Sequence, residues 1–432
     1  MNVRLIRMAF ALGLLLLFQT AAGAQIPKPD PLATLLKYVD QTAGTDADQA
    51  VRIALASNDE LAAMKLETES STRMIGQAKQ RARPSVGFES RQQVGGSRNH
   101  SMVMGTIPLE LGGRKSSRIA VAETMAALDR ALYEEKERML AAEVRTKFGR
   151  ALAKALKLKL TEDTLLFVIE SYELVKANVT EGDTAPLEEN MLLVEVNRLR
   201  SMREKDEGAV RIAMLELKNL MGIGPEAPLL LKGDFEGLVE PLPPLRVATE
   251  TALAKRPDLE ALRAAIEVGR AKIDQYASDS GIDAALNLGY ERMTDDAFRG
   301  GDHMVIFGVR ITLPYGNRNR DAIEASTLDK QAAEQRLEFG ELVVRREVAS
   351  AFARYEFAVK ALEIFRVGVA GEAFRNLEVV RQTYEFGSAS LIDYLSEQGR
   401  YLDYQAGLID AQLEVYEAKV SILKAGNEAG LK

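Results

Sequence analysis

The C-terminal part of the chain carries a long helical pattern that no proline interrupts. The 118 residues from Tyr315 to the end contain none. Apolar pairs return every seven residues in its second half, at 394/395, 401/402, 408/409, 415/416 and 422/423. This spacing keeps one apolar stripe on one helix face and predicts coiled-coil packing against other helices. The first half, 318–386, predicts one helix of about 100 Å at about 1.5 Å per residue.

A two-residue alternation replaces the helical period in the segment 303–313. One face carries apolar side chains and the other carries Gly308, Arg310 and Thr312. The apolar face consists of Val305, Phe307, Val309, Ile311 and Leu313. A strand of about ten residues with one apolar and one polar face is typical of a lipid-facing barrel strand. The alternative is a half-buried sheet in a soluble domain, but the rod-like helices offer no layer to cover such a sheet.

The same order of elements occurs twice, which predicts an internally duplicated, mainly α chain with a small β part. Repeat 1, 47–224, contains a helical pattern over 47–83, β-hairpin 85–109, long helix 114–180, tip turn 182–187 and helix 188–222. Repeat 2, 246–426, contains a helix, β-hairpin 283–313, long helix 318–386, tip turn 387–391 and helix 391–425. Four strands cannot close a membrane barrel. Two copies would supply eight strands and three copies twelve, and periodicity alone does not choose.

The N-terminus has the features of an export signal. Arg4 and Arg7 precede an apolar run, and small residues at 22–24 form a cleavage site, so residues 1–24 are expected to be a signal peptide. No later apolar run is long enough for a membrane-spanning helix. The chain has no cysteine, which excludes disulfides, thiolate metal sites and a lipid-bearing cysteine. An exported chain without disulfides fits a Gram-negative periplasm or outer membrane.

Candidate chemistry is sparse. The formal net charge of −7 argues against a nucleic-acid partner. No serine nucleophile motif with a histidine, phosphate-binding glycine loop or paired carboxylate site is present, so we expect neither an enzyme nor a cofactor. His100, Met102 and Met104 share one strand face, and imidazole with thioethers would suit a soft ion such as Cu(I). Because no acid or further histidine completes a site in the sequence, we expect no metal site there.

The complete layout resembles the TolC-type outer-membrane efflux channels, also called outer membrane factors. The resemblance covers essentially the whole mature chain, including the duplication. It implies a homotrimer in the outer membrane with a shared 12-stranded transmembrane β-barrel above a trimeric α-helical coiled-coil tunnel. It also implies a mixed equatorial collar built from 25–46, 225–245 and the C-terminal tail 427–432.

The resemblance further implies a gate at the periplasmic end of the tunnel. Tyr384, three residues before Gly387, and Asp393, six after it, match gate positions, and Glu188 is the equivalent acid of repeat 1. Ser396 replaces a family aspartate, and Ala389 replaces an arginine, so an acidic ring at Asp393 is the expected gate. The alternative for Asp393 is a favourable interaction with the dipole of the helix that it begins.

The two tip turns resemble the segments that dock onto a periplasmic adaptor protein. The residues concerned are Gly182, Leu187, Gly387, Ser388 and Leu391. The alternative is an ordinary loop between two antiparallel helices.

The sequence Ile107-Pro-Leu-Glu-Leu-Gly-Gly-Arg114 is similar to the heavy-metal, CzcC-like branch of the family. The resemblance thus implies a passive outer-membrane duct linked through an adaptor to an inner-membrane pump of the RND or a similar type, with heavy-metal cations as cargo. The alternatives are a multidrug or type I protein-secretion channel and, in a different class, a soluble periplasmic coiled-coil scaffold.

Overall fold

The computed structural model describes residues 28–237, 239, 241–294, 301–316 and 318–427; the predicted signal peptide 1–24 and the tail beyond 427 lie outside them. In the first half of the chain the elements are α1 Pro31–Leu36, α2 Ala47–Ser57, α3 Asp59–Ala78, β1 Ser85–Gln92, β2 Asn99–Leu109, α4 Arg114–Glu181 and α5 Pro186–Leu220. In the second half they are α6 Leu245–Lys255, α7 Pro257–Asp279, β3 Asp283–Thr294, β4 Asp302–Thr312, α8 Arg320–Glu363, a π-helical segment Ile364–Val369, α9 Ala370–Glu385 and α10 Leu391–Gly426.

The helical pattern predicted over 47–83 is two helices with a break at Asn58. Asn58 has an extended backbone (ψ 119°), and its side-chain oxygen accepts the amide of Leu61 at 3.0 Å. Its side-chain nitrogen donates to the carbonyl of Leu220 at 3.1 Å. One asparagine therefore begins α3 and ties it to the end of α5, and an asparagine is a favoured residue at a helix start.

The segment predicted as one long helix over 318–386 is helical without a gap from Arg320 to Glu385, but its geometry changes part of the way along. The π-helical segment Ile364–Val369 separates α8 from α9. Phe365 belongs to this segment. A Cβ built on Gly407 of α10 would lie only 2.9 Å from the Phe365 ring, so α10 packs closely against the segment. A π-helical turn inserts about one extra residue into an α-helix. An apolar period read from the sequence does not detect so small a shift.

The four strands form one antiparallel sheet in the order β1-β2-β3-β4. The contact between β2 and β3 joins the hairpins of the two repeats. Within it, Thr106 Oγ1 donates to Asn287 Oδ1 at 2.8 Å. The register aligns Phe88, Val103, Tyr290 and Val305 across the sheet. The two repeats therefore share one continuous sheet.

The helices extend from this sheet as a bundle with three apolar clusters. α4 packs against α3, α5, α7 and α10, and α10 also packs against α8 and α9. One cluster joins α2, α4 and α5, the second joins α6, α7, α8 and α10, and the third joins α4, α5 and α10 near the tip turns. Within the described residues, no helix combines the length and apolar character needed to cross a membrane.

Two buried arginines hold the end of α10. Arg138 donates to the carbonyl of Lys424, and Arg256 lies 3.5 Å from the carbonyl of Ala425. Glu347 pairs with Arg256 at 2.7 Å. Positive charge at the carboxyl end of a helix is favourable because the helix dipole is negative there. One arginine comes from each repeat, so this contact joins the repeats away from the sheet.

The N-terminal segment 25–46 and the linker 225–245, which are predicted to flank the repeats, also contact each other. The backbone amide of Leu231 donates to the carbonyl of Tyr38 at 2.8 Å, and the amide of Asp40 donates to the carbonyl of Leu231 at 2.8 Å. The N-terminal segment and the linker between the repeats thus pair around the middle of the bundle.

The junction between α5 and α3 generates a stability prediction. Gly222 has φ +66°, and a Cβ there would meet the carbonyl of Ser57. We expect Gly222→Ala to lower the free energy of unfolding by about 1–3 kcal/mol, the cost of a left-handed backbone at a residue with a side chain. Thermal unfolding followed by circular dichroism measures the change. The control is Gly208→Ala in the interior of α5, where a Cβ meets nothing within 4 Å. It should raise stability by up to about 1 kcal/mol because alanine favours helix more than glycine does. Equal unfolding temperatures for both variants would contradict the close approach at Gly222.

Candidate functional site: the two-faced sheet and the helical tip

One face of the sheet is apolar and exposed along all four strands. Phe307 is 78% exposed and Phe88 72% exposed, although buried phenylalanines are the norm in a soluble core. The other large apolar side chains on this face are Val86, Val103, Ile107, Leu286, Leu288, Tyr290, Val305, Val309 and Ile311. All four residues predicted to face lipid, Val305, Phe307, Val309 and Ile311, belong to it. No helix of the described chain covers this face.

The sheet has two open edges. β1 pairs only with β2, and β4 pairs only with β3, among the strands that the structure describes. The outer backbone groups of both edge strands therefore have no ladder partner within one chain. An exposed edge of this length is a template for pairing with another chain.

The opposite face is polar and carries the histidine considered from the sequence. His100 Nε2 lies 2.5 Å from Glu291 Oε1, in an ion-pair contact that is not aligned as a straight hydrogen bond. The expectation that no acid stands beside His100 is therefore wrong, because β2 and β3 bring Glu291 from the other repeat. Met102 and Met104 follow on the same face. Within the described residues, no three His, Cys, Asp or Glu side chains form a group that could hold a metal.

At the far end of the bundle, two of the predicted gate residues touch. Tyr384 Oη donates to Glu188 Oε2 at 2.9 Å and links α9 to α5. Desolvation of the phenol, with the hydrogen bond to Glu188, raises the pKa of Tyr384 to about 12. The phenol thus remains a donor at physiological pH. Because the pKa is raised, the contact stabilises the tip fully below pH 10 and is lost as pH rises through about 12.

Sequence reasoning missed Tyr394, which supports this contact from behind. Its ring stacks on the ring of Tyr384, with centroids 5.7 Å apart and planes 8° apart. Tyr394 is buried, and its hydroxyl has no hydrogen-bond partner among the described residues. The heptad pattern predicts only that Tyr394 is an apolar position. Its aromatic ring is the one feature of the sequence that could have indicated stacking on Tyr384.

Asp393 lies next to Tyr394 but faces solvent. Its carboxylate accepts the Ser390 hydroxyl at 2.7 Å and the Ser390 amide at 3.2 Å, which completes a capping box at the start of α10. The hydrogen bonds from Ser390 lower the pKa of Asp393 below its usual value. Ser396, one turn further along α10, is exposed. Neither side chain contacts Tyr384 or Glu188 directly in any described hydrogen bond or ion pair.

The tip turns lie side by side with Tyr384 and Glu188. Gly182 (φ +90°) and Gly387 (φ +73°) both adopt the left-handed backbone that ends α4 and α9. Leu187 is 67% exposed, and Ser388 is also exposed. Leu391 is only 4% exposed and packs into the apolar cluster beneath the turns. Leu391, predicted with the other tip residues to dock onto the adaptor, therefore faces the core, because its position in the first turn of α10 directs its side chain inward.

The family model for outer membrane efflux proteins matches residues 50–223 and 248–428. Two curated relatives match most of the chain. The cobalt-zinc-cadmium resistance protein CzcC of Cupriavidus metallidurans is 21% identical over 375 residues, covering 87% of this chain and 88% of CzcC. The nickel-cobalt-cadmium resistance protein NccC of Alcaligenes xylosoxydans is 24% identical over 336 residues, covering 77% of this chain and 72% of NccC.

Solved structures share the fold over nearly the whole chain. CusC, described for transmembrane channel formation, superposes with a TM-score of 0.73 at 16% identity, covering 94% of this chain and 97% of CusC. The outer-membrane channel OprN gives a TM-score of 0.73 at 17% identity, covering 95% and 98%. The open state of the MtrE outer membrane channel of Neisseria gonorrhoeae gives 0.72 at 19% identity, covering 89% of each chain.

Proposed function

The chain belongs to the outer membrane efflux protein family, and from that premise we propose that it is the outer-membrane channel of a tripartite efflux system. One observation supports this proposal above the others. The sheet exposes an apolar face and two unpaired edges, and one chain offers neither a cover nor a partner for them. A lipid bilayer covers the face, and further copies of the chain satisfy the edges.

Three copies give the assembly that the family resemblance implies. β4 of one copy pairs with β1 of the next, and the homotrimer closes a 12-stranded barrel with the apolar face outside. The long helices continue below the barrel as a tunnel through the periplasm. The channel is a passive duct with no catalytic contribution, and an inner-membrane pump supplies the energy.

The tip turns are the proposed contact with the periplasmic adaptor. Leu187, Gly182, Gly387 and Ser388 are exposed at the end of the bundle, whereas Leu391 supports them from inside. Exposed apolar Leu187 is suited to packing against an adaptor hairpin, because such contacts bury apolar surface.

The proposed gate contains two different contacts. Within each protomer, the Tyr384–Glu188 hydrogen bond holds α9 against α5. Between protomers, three copies of solvent-facing Asp393 approach the axis and form an acidic ring that attracts cations. Ser396 adds no charge to this ring.

The proposed cargo is heavy-metal cations. The two curated relatives are named for resistance to cobalt, zinc, cadmium and nickel, and both match most of this chain. The inner-membrane pump is the expected main source of selectivity among these cations.

Charge on the apolar face tests the membrane proposal. We expect Phe307→Arg to block insertion, because arginine at the lipid face near the bilayer centre costs about 2–4 kcal/mol per copy. Ile306→Arg, one residue earlier and on the polar face, is the matched control and should insert normally. Each variant is expressed in a host that lacks the native gene, and trimers in the outer membrane and growth on cobalt, zinc and cadmium are measured.

Failure of Phe307→Arg together with full function of Ile306→Arg is the expected pair of results. Normal trimers and full resistance with Phe307→Arg would contradict a lipid-facing β4. Normal channels without any effect of gene loss on metal tolerance would instead contradict the cargo alone.

The gate proposal predicts a change in conductance. Tyr384→Phe removes one hydrogen bond to a carboxylate in each copy, a contact worth about 1–2 kcal/mol when partly exposed. We expect a higher mean conductance in planar bilayers. Tyr404→Phe, an exposed tyrosine of α10 for which no hydrogen bond is described, is the control. Identical conductance for wild type and Tyr384→Phe would remove Tyr384 from the gate.

A further inference from the structure

All methionines of the described strands lie on one face of the sheet. They are Met102, Met104, Met293 and Met304, out of 14 in the whole chain. The apolar face uses valine, isoleucine, leucine and phenylalanine and contains no methionine among its described residues. Methionine would suit the apolar face as well as leucine does if apolar volume were its only role. Its confinement to the polar face points to the thioether sulfur.

The register brings these side chains together from both repeats. Met102 is directly opposite Glu291, and Glu291 is directly opposite Met304. Two strand spacings separate Met102 from Met304, about 9.5 Å between Cα atoms. Each side chain has three rotatable bonds, so both sulfurs reach a common point above Glu291.

Met293 and Met104 extend the same patch along the strands. Met293 is directly opposite His100. The methyl group of Met104 lies over Gly289, 3.5 Å from the position that a Cβ at residue 289 would occupy. We call Met102, Met104, Met293 and Met304, with His100 and Glu291, the methionine patch. It lies at the end of the sheet away from the helices, next to a cavity of about 540 Å³ lined by His100, Met293 and Asp302.

His100 adds a nitrogen ligand to the patch. Its Nε2 is engaged by Glu291 at 2.5 Å, and the two side chains are 22% and 17% exposed. The contact with Glu291 occupies the Nε2 side of the ring, which leaves Nδ1 as the imidazole nitrogen that can bind an ion. Glu291 also supplies negative charge beside the ion.

We propose that the methionine patch binds a soft monovalent cation, Cu(I) or Ag(I), inside the barrel. Thioether and imidazole ligands prefer such ions, whereas carboxylate and water ligands suit hard cations. The proposal rests on the proposed function, because the patch lines the lumen only if the polar face of the sheet is the inside of a closed barrel. The trimer then holds three patches around the exit path, and ions that leave the duct pass them.

Silver binding to the purified trimer tests the proposal. Detergent-solubilised protein is dialysed against Ag(I) nitrate in chloride-free buffer, and bound silver is measured by elemental analysis. Because the chain has no cysteine, any sulfur ligand that X-ray absorption detects at silver is a methionine. We expect sulfur ligation in the wild type and binding weaker by about tenfold or more in Met102→Leu/Met304→Leu.

The control variant is Met74→Leu/Met139→Leu, which removes two partly exposed methionines of α3 and α4. It should bind silver as the wild type does. Leucine is close to methionine in volume, so neither variant should lose its fold. Three results would overturn the proposal. They are silver bound without sulfur ligands, the same silver affinity in both double variants, and displacement of silver from the wild type by excess Zn(II).

Conductance of the same preparations separates the two proposals. Wild-type trimers that conduct but bind no silver would refute the methionine patch and leave the channel function intact. Trimers that conduct neither as wild type nor as Tyr384→Phe would refute the channel function, whatever silver they bind.

Discussion

The uncovered apolar face of the sheet and its two open edges are the constraint on which the rest of the structure depends. In water, each exposed apolar side chain costs about 25 cal/mol per Å² of surface. In lipid the apolar face is satisfied, but every unpaired backbone group of β1 and β4 then costs several kcal/mol. The two demands are met together only when copies pair edge to edge inside a membrane. Assembly and insertion are therefore one problem for this chain.

The long helices connect the sheet to the tip turns at the opposite end of the molecule. α4 runs without a break from the end of β2 to the tip turn at Gly182. The corresponding path in repeat 2 is divided by the π-helical segment Ile364–Val369, and α9 beyond it carries Tyr384. The two repeats thus differ where the proposed gate is attached. The Tyr384–Glu188 hydrogen bond attaches the irregular helix of repeat 2 to α5 of repeat 1.

The local periodicity of the sequence predicted most of the helices and strands. It could not predict which strands of the two repeats pair with each other. The alternation at Val305, Phe307 and Val309 identified the exposed face, because a strand places alternate residues on opposite sides. The contact of His100 with Glu291 depends on the pairing of β2 with β3 from different repeats, which no local pattern contains. The burial of Leu391 depends on how α10 begins over the tip cluster. In the candidate site, Tyr384 and Glu188 were predicted by resemblance, and the support from Tyr394 was not.

Disulfide cross-linking between β1 and β4 of neighbouring copies tests the closed barrel most directly. The chain has no cysteine of its own, so a cysteine at Gly87 combined in turn with one at Ile306, Gly308 or Arg310 reports only that contact. We expect at least one pair to give covalent trimers in outer membranes under oxidising conditions, with no larger products. Monomers at every pair, or dimers that never extend to trimers, would contradict a barrel closed by three copies.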